Sequence, residues 1–287
     1  MNAAPPVADI EIPREVAELD ARARKVETPC GDGAMVWRIW GEGEPLVLAH
    51  GAQGSWMHWL RNIDALAQTR MVIAADLPGH GDSALPQTPG HAGISRALAD
   101  GLRQILDGPR PVDLCGFSFG GVAFSFFAAF YPAFARRLVL VGCGGLDTPV
   151  GRINLGRISG LAGAERRAAI RRNLLGLMLH DPASVDDFAL WQLPHNARAS
   201  RLDVPHLVLP DRLCLILPDV TAPVSAIWGE FDRPHPDPAV QEAALRRLKP
   251  DAGFRVVDGA GHWAMFERPA AFTDALGEVL AEKERLS

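Results

Sequence analysis

The stretch Val112-Asp-Leu-Cys-Gly-Phe-Ser118-Phe-Gly-Gly-Val122 decides the fold of this chain. A short apolar run ends at a serine with glycines on both sides, and a second apolar stretch follows. Glycine beside a serine is typical of a sharp strand-to-helix turn, where a Cβ would collide with neighbouring backbone. Such a turn lifts the hydroxyl above a sheet edge and sets it at a helix N-terminus, which favours developing negative charge. Ser118 is therefore the candidate nucleophile.

Similar short apolar runs lie on both sides of this stretch and alternate with helix-like segments. Runs of this kind that end in Gly, Asp or Pro are typical of strands covered on both faces. Their alternation with helices predicts an α/β fold with a mostly parallel central sheet flanked by helices, begun by an antiparallel pair whose turn is Gly31-Asp-Gly33. The predicted strands are 24–28, 35–40, 45–50, 71–75, 112–115, 138–141, 224–228 and 254–257, and the predicted helices are 94–106, 121–130, 238–248 and 269–283.

The alternation stops between about Gly144 and Ala222. This segment is too long for an ordinary connection and too helical for a disordered linker. We therefore predict a helical cap at residues 146–219, inserted into a core formed by residues 1–145 and 220–287. Arginines at helical spacing, such as Arg166 and Arg171, are expected on a solvated helix face, although they could grip an acidic substrate.

A serine nucleophile needs a base and an acid that orients the base. His262 follows the last predicted strand on a glycine-rich loop, Asp258-Gly-Ala-Gly-His262, which suits it as the base. Asp232 follows the strand at 224–228 on a short turn and is the preferred acid. Asp147, after the strand at 138–141, is the competing candidate. The order Ser, Asp, His differs from the orders in the chymotrypsin and subtilisin families.

A tetrahedral oxyanion needs hydrogen-bond donors near the serine. His50-Gly51-Ala52 follows the strand at 45–50, and glycine permits a turn that points backbone N–H groups toward the nucleophile. The N–H groups of Ala52 and Phe119 are the predicted oxyanion hole. We expect His50 to hold this turn by hydrogen bonding and to take no part in catalysis.

Composition excludes several other classes. The formal net charge of −5 over 287 residues disfavours binding to nucleic acid through phosphate contacts. Four widely spaced cysteines predict neither a disulfide scaffold nor a zinc ribbon. Residues 1–18 lack the pattern of a signal peptide, and the apolar runs are too short for a membrane span, which favours a cytoplasmic protein. The oligomeric state stays open, with a homodimer as one option. Prolines between and directly after Asp232, His235 and Asp237 disfavour a metal site there, and no cofactor is expected.

Taken together, these motifs resemble the α/β-hydrolase superfamily. The resemblance rests on His50-Gly51, Asp76-Leu-Pro-Gly-His-Gly-Asp82-Ser83, the turn at Ser118, Gly-Glu-Phe-Asp232 and Gly-His262-Trp, and it covers nearly the whole chain outside the cap. It implies a serine hydrolase that acts on a small molecule, and a small carboxylic ester is the preferred substrate. Aromatic residues beside the predicted catalytic groups and on the cap are the expected substrate pocket: Phe117, Trp263 and Trp191.

Three other functions stay open. The Gly-His-Trp motif and the run Leu179-His-Asp-Pro-Ala-Ser-Val185 are similar to hydrolases of meta-cleavage products, which cut carbon–carbon bonds. That family has asparagine where this chain has Phe117, and a cap arginine at the position we assign to Leu193. A non-catalytic ligand receptor and a cofactor-free haloperoxidase-like activity are the remaining alternatives.

Overall fold

Residues 11–281 are described by a computed structural model, and they contain one eight-stranded sheet. The strand order is β1-β2-β4-β3-β5-β6-β7-β8. The strands are β1 (Arg24–Cys30), β2 (Gly33–Trp40), β3 (Glu44–Ala49), β4 (Arg70–Ala75), β5 (Val112–Phe117), β6 (Ala135–Val141), β7 (Val224–Gly229) and β8 (Gly253–Val257).

The sheet is parallel from β4 to β8 and antiparallel at the other end. β1 pairs with β2 through the turn at Gly31, and β2 pairs antiparallel with β4. Each predicted strand is present, within three residues of its predicted ends, and the α/β-hydrolase fold is confirmed. The three central strands β3, β5 and β4 bury nearly every side chain, as expected of a sheet covered on both faces.

Helices cover both faces of the sheet and divide the apolar interior into two clusters of buried side chains. One cluster includes Leu98, Phe124 and Trp228, and the other includes Trp59, Phe117 and Trp263. The helices are α1 (Arg14–Arg22), α2 (Leu60–Leu66), α3 (His91–Ile105), α4 (Phe119–Phe130), α5 (Gly163–Asn173), α6 (Asp187–Ala199), α7 (Pro205–Val208), α8 (Arg212–Ile216), α9 (Pro238–Leu248), α10 (Ala264–Glu267) and α11 (Pro269–Ala281).

All four predicted helices are present. α9 has the predicted bounds, and α4 begins two residues earlier than predicted, directly after Ser118. The predicted end of the last helix at Lys283 lies outside the described residues, as does the start of the N-terminal stretch discussed above. None of the helices within residues 11–281 has the length and apolar character needed to cross a membrane.

The segment between β6 and β7, residues 142–223, carries α5 to α8 and is called the inserted segment below. A five-residue π-helical stretch, Leu174–Met178, continues α5. The inserted segment contacts loops at the carboxyl edge of the sheet, since Trp263 N–H donates to Met178 O over 2.8 Å and Arg201 N–H donates to Gly79 O over 2.8 Å. Its limits as a separate cap, 146–219, stay a prediction.

The arginines of α5 have different surroundings. Arg167 is exposed and forms an ion pair with Asp187 over 2.6 Å, as expected of a solvated face. Arg171 donates to Pro182 O over 2.9 Å. Arg166 is half-buried, and its Nε has no hydrogen-bond partner among the described residues.

Candidate active site

Ser118 lies on a sharp turn between β5 and α4. Its φ of 50° and ψ of −118° lie in a region that side-chain-bearing residues rarely adopt. Close packing holds the turn: a Cβ on Gly116 would lie 2.5 Å from Gly120 backbone, and one on Gly120 would lie 2.6 Å from Ala49 O. Only glycine permits these approaches, so the flanking glycines of the motif place α4 directly behind the serine.

His262 and Asp232 form a buried pair next to this turn. His262 Nδ1 lies 2.7 Å from Asp232 Oδ2, and the two residues are 5% and 2% exposed. The other carboxylate oxygen, Oδ1, accepts the backbone N–H of His235 over 2.8 Å. Both oxygens are therefore held in place, and the carboxylate fixes the orientation of the imidazole ring.

Two neighbours connect the pair with the serine. The ring of Phe117, the residue before Ser118, lies 4.8 Å from the His262 ring between centroids. A Cβ on Gly142, at the end of β6, would lie 2.9 Å from Asp232 Oδ2 and 3.2 Å from His262 Nδ1. Residues that follow β5, β6, β7 and β8 thus lie close together at one edge of the sheet. Asp147, the competing acid, is exposed on the surface.

The two predicted oxyanion donors belong to segments next to the serine: Phe119 follows it in α4, and Ala52 follows Gly51. Phe119 is the first residue of α4, so its N–H has no partner within the helix. Gly51 packs against the nucleophile turn, since a Cβ there would lie 3.3 Å from Ser118 Cβ and 2.9 Å from the Phe117 ring. Ala52 is the next residue along this loop and is exposed.

Two buried histidines fix the loop that carries Gly51. His50 Nε2 accepts the N–H of Leu77 over 2.9 Å, so its Nδ1 carries the proton and donates to Gly51 O over 2.7 Å. His58 Nδ1 accepts the N–H of Gly51 over 3.2 Å. His50 therefore has the structural place that the sequence predicted, and His58 is a support that sequence reasoning missed.

Burial keeps the histidines around the site neutral. It lowers the pKa of His58 to about 3, with help from the neighbouring His262 and His80. It lowers the pKa of His80 and of His235 to about 4, and that of His50 well below its ordinary value. A neutral imidazole can accept a hydrogen bond from a backbone N–H, as His50 and His58 do.

The three predicted pocket residues are buried but have different neighbours. Phe117 is 1% exposed and contacts the rings of His58 and His262. Trp263 is fully buried, stacks on Phe266 at 4.0 Å and donates its indole N–H to His58 O over 2.9 Å. Trp191 lies on α6 and stacks on His195 at 4.2 Å. Their role as pocket residues stays a prediction.

Asp76 is the first residue of the turn after β4, and its carboxylate is bonded to groups that hold the turn. It accepts the N–H groups of Trp56 and Asp82 and pairs with Arg38 over 3.1 Å. Burial nevertheless raises the pKa of Asp76 to about 6, against the opposing influence of the Arg38 charge. These contacts hold the turn that follows β4 in place.

Sequence reasoning missed a buried carboxylate that joins the site to the inserted segment. Glu267, at the end of α10, is 5% exposed and accepts the N–H groups of Gly261, His180 and Asp181 over 2.5–3.1 Å. It therefore ties the loop of His262 to residues 180–181. The signal available in the sequence was a glutamate inside an apolar run, Trp263-Ala-Met-Phe-Glu267.

Within residues 11–281, no group of three or more His, Cys, Asp or Glu side chains is arranged to hold a metal ion. Asp232 and His235 are close to each other, but they contact through the backbone N–H of His235 and not through its ring. Asp237 directly precedes α9 and has a left-handed backbone conformation.

Known proteins are similar to this chain in sequence. A 2-hydroxy-6-oxononadienedioate/2-hydroxy-6-oxononatrienedioate hydrolase of Paraburkholderia phymatum is 29% identical over 83% of this chain and 88% of its own length. The acetyltransferase component of an acetoin cleaving system of Pseudomonas putida is 32% identical over 78% of this chain, which spans 60% of that relative.

Solved structures of other proteins share the fold. An esterase from Rhodococcus sp. has a TM-score of 0.74 at 22% identity, covering 90% of this chain and 98% of its own. A thermophilic esterase from Thermogutta terrifontis has a TM-score of 0.67 at 24% identity, with coverage of 90% and 98%. The Alpha/beta hydrolase family matches residues 46–275. The chain therefore belongs to the alpha/beta hydrolase family.

Proposed function

We propose that this protein is a serine hydrolase that cleaves a small carboxylic ester through an acyl-enzyme intermediate. One observation carries the proposal: Ser118 stands strained at the N-terminus of α4, beside a buried His262–Asp232 pair whose Nδ1 and Oδ2 are 2.7 Å apart. A nucleophile, a base and an orienting acid that follow parallel strands of one sheet are the groups that acyl transfer needs.

In the first step, His262 Nε2 takes the Ser118 hydroxyl proton while Oγ attacks the ester carbonyl carbon. Asp232 holds the proton on Nδ1 and stabilises the imidazolium. The carbonyl oxygen becomes an oxyanion, which accepts hydrogen bonds from the N–H groups of Ala52 and Phe119. Collapse of the intermediate expels the alcohol, which receives the proton from His262.

In the second step, water repeats the sequence on the acyl-enzyme. His262 takes a proton from water, the hydroxide attacks the acyl carbon, and Ser118 Oγ leaves with the proton that His262 returns. The carboxylic acid is released and the enzyme is regenerated. Every proton passes through one imidazole, which is why its orientation by Asp232 is expected to control both steps.

Labelling and turnover test the proposal together. A fluorophosphonate probe should label Ser118 in the folded protein, and 4-nitrophenyl butanoate should be hydrolysed with release of 4-nitrophenol. Ser118→Ala should lose both and keep its fold by circular dichroism, with a fall in kcat of at least about 10³-fold. A folded protein that neither labels nor turns over esters would instead favour the non-catalytic receptor.

Hydrolysis of a carbon–carbon bond is the second candidate. Several of the similar proteins are named as hydrolases of 2-hydroxy-6-oxo acids or of 2-hydroxymuconate semialdehyde. One residue also favours it: Arg166 Nε is buried without a partner among the described residues, and a guanidinium there could pair with a substrate carboxylate. Incubation with a 2-hydroxy-6-oxo-dienoic acid and with 4-nitrophenyl butanoate separates the two. Turnover of the acid alone, lost in Arg166→Gln, would replace the ester proposal.

A further inference from the structure

Three side chains form a row along the inward face of α6. Phe188, Gln192 and Asn196 follow one another at intervals of four residues, which places them one above the other on a helix. They are 2%, 1% and 1% exposed. The row therefore combines one aromatic ring with two buried amides, on a helix that contacts the loops around Ser118.

The ends of the row contact the two loops on either side of the nucleophile. The Phe188 ring lies 6.3 Å from that of Trp263, which follows His262. At the other end, Asn196 Oδ1 accepts a hydrogen bond from Ser55 Oγ over 3.1 Å, on the loop that carries Gly51 and Ala52. Gln192 is one turn from each of them, and so it lies between the histidine loop and the oxyanion loop.

Both amides keep a nitrogen without a partner. Gln192 Nε2 and Asn196 Nδ2 are buried and have no hydrogen-bond acceptor among the described residues. In this arrangement Ser55 Oγ accepts the N–H of Met57 over 3.3 Å and donates its own proton to Asn196 Oδ1 over 3.1 Å, which leaves the Asn196 amide nitrogen free to donate. Buried amide nitrogens are almost always paired in folded proteins, so two on one helix face indicate a ligand that completes them.

The chemistry of the missing partner follows from the donors. Each amide offers N–H groups and no charge. The charges that act on His195, next to Asn196, are of opposite sign, the carboxylate of Asp82 and the guanidinium of Arg198. A buried carboxylate needs a cation that no carboxylate already offsets, whereas an uncharged carbonyl oxygen needs only the hydrogen bonds that the amides supply.

We propose that Gln192 and Asn196 form a subsite for an uncharged carbonyl oxygen on the substrate, away from the bond that Ser118 attacks. This rests on the proposed function in placing the reacting ester at Ser118. It names the substrate class as esters that carry a second carbonyl group, a ketone, ester or amide. The subsite would make binding of that second group the source of selectivity.

Matched pairs of esters test the subsite. The substrates are 4-nitrophenyl pentanoate and 4-oxopentanoate, hexanoate and 5-oxohexanoate, and heptanoate and 6-oxoheptanoate. We expect the wild type to prefer the oxo ester of at least one pair by about 10-fold in kcat/KM, mainly through a lower KM, as one good hydrogen-bonding pair can provide. In Gln192→Met and in Asn196→Leu the ratio should fall to about 1.

Gln241→Met is the matched control, since that buried amide is paired with Thr148 Oγ1 and Pro236 O on another face of the protein. It should keep the wild-type ratio. Thermal melting gives an independent reading: removal of an unpaired buried amide should raise Tm in Gln192→Met, whereas removal of a paired one should lower Tm in Gln241→Met. A lower Tm in both would indicate that Gln192 is satisfied inside the protein and would overturn the subsite.

Failure of the subsite and failure of the ester proposal give different results. A wild-type ratio near 1 in every pair, or a ratio that both α6 variants keep, overturns the subsite while ester hydrolysis stands. If no ester is turned over, the same pairs are titrated into Ser118→Ala and followed by tryptophan fluorescence. Tighter binding of an oxo ester that Gln192→Met abolishes supports the subsite without hydrolysis, and equal binding of both esters overturns it.

Discussion

At the scale of single residues, the carboxylate of Asp232 is fixed more firmly than a simple ion pair would be. One oxygen contacts His262 Nδ1 over 2.7 Å and the other accepts the His235 N–H over 2.8 Å. The carboxylate cannot rotate without loss of one of these bonds. Asp147 has no such arrangement, because it is exposed at the surface.

Asp232→Asn should therefore lower kcat on 4-nitrophenyl butanoate by about 10⁴-fold, the size expected when an amide stabilises the wrong imidazole tautomer. Asp147→Asn is the matched control and should keep near-normal rates. Steady-state kinetics with both variants decides the choice of acid. The opposite ranking of the two variants would transfer the role to Asp147.

The backbone of Ser118 gives a second prediction at this scale. A side-chain-bearing residue at φ 50° and ψ −118° is strained by about 1–3 kcal/mol, and glycine relieves such strain. Glycine also gains freedom in the unfolded chain, which offsets about 0.5–1 kcal/mol of that relief. Ser118→Gly should thus be more stable than Ser118→Ala by about 1 kcal/mol in urea unfolding. Equal or lower stability of the glycine variant would mean that the turn stores no strain.

At the scale of helices and strands, the sequence predicted the bounds of the elements better than it predicted which strands pair with each other. Runs such as Val224–Trp228 are apolar except for one residue because both faces are covered, so their ends were clear. The place of β4 between β2 and β3 depends on pairing of Trp37–Trp40 with 72–75, which no local pattern encodes. α1 was missed because its buried residues, Val16 and Leu19, are few among charged ones.

The candidate site was predictable to the same extent. The three proposed catalytic residues and the loop at Gly51 stand in short motifs after strands, and parallel strand ends meet at one edge. The contacts of the inserted segment could not be predicted in this way. The importance of Gln192 and Asn196 depends on the loops that they contact. A spacing of four residues alone does not distinguish a buried helix face from a solvated one.

A single buried carboxylate links α10 to the inserted segment. Glu267 accepts N–H groups from Gly261, His180 and Asp181, so one carboxylate holds two segments together. Glu267→Gln keeps the shape but can accept with only one oxygen. We expect a loss of about 2–4 kcal/mol in the free energy of unfolding, together with a fall in kcat, because the loop of His262 loses its anchor.

Glu230→Gln is the control for this change. Glu230 is exposed and accepts a single N–H, that of Gly259 over 2.8 Å, on the same loop. It should lose less than about 1 kcal/mol, as expected of an exposed contact. Chemical unfolding and steady-state kinetics are measured on both variants. Similar effects in the two would show that burial of Glu267 has no special part in holding the loop.

At the scale of the whole molecule, the buried histidines connect the site with stability. The inserted segment contacts loops at the edge where the strands end, and the histidines of this region are buried. Burial lowers the pKa of His58 to about 3 and of His80 and His235 to about 4, from an ordinary value of 6.5. These groups bind protons in the unfolded chain at pH values where the folded protein leaves them neutral.

Stability should therefore be complete above pH 6.5 and should fall as the pH drops from 6.5 toward 4. Three such histidines give a slope of about 4 kcal/mol per pH unit near pH 5. The pKa of His50 is also lowered, so His50 takes up one further proton on unfolding. The pKa of Asp76 is raised to about 6, so Asp76 releases one proton on unfolding and offsets the contribution of one histidine. Urea unfolding between pH 7 and 4.5 measures the slope, and His235→Asn should reduce it by about a quarter to a third. A free energy of unfolding that stays flat from pH 7 to 5 would mean that the imidazoles are charged in the folded protein.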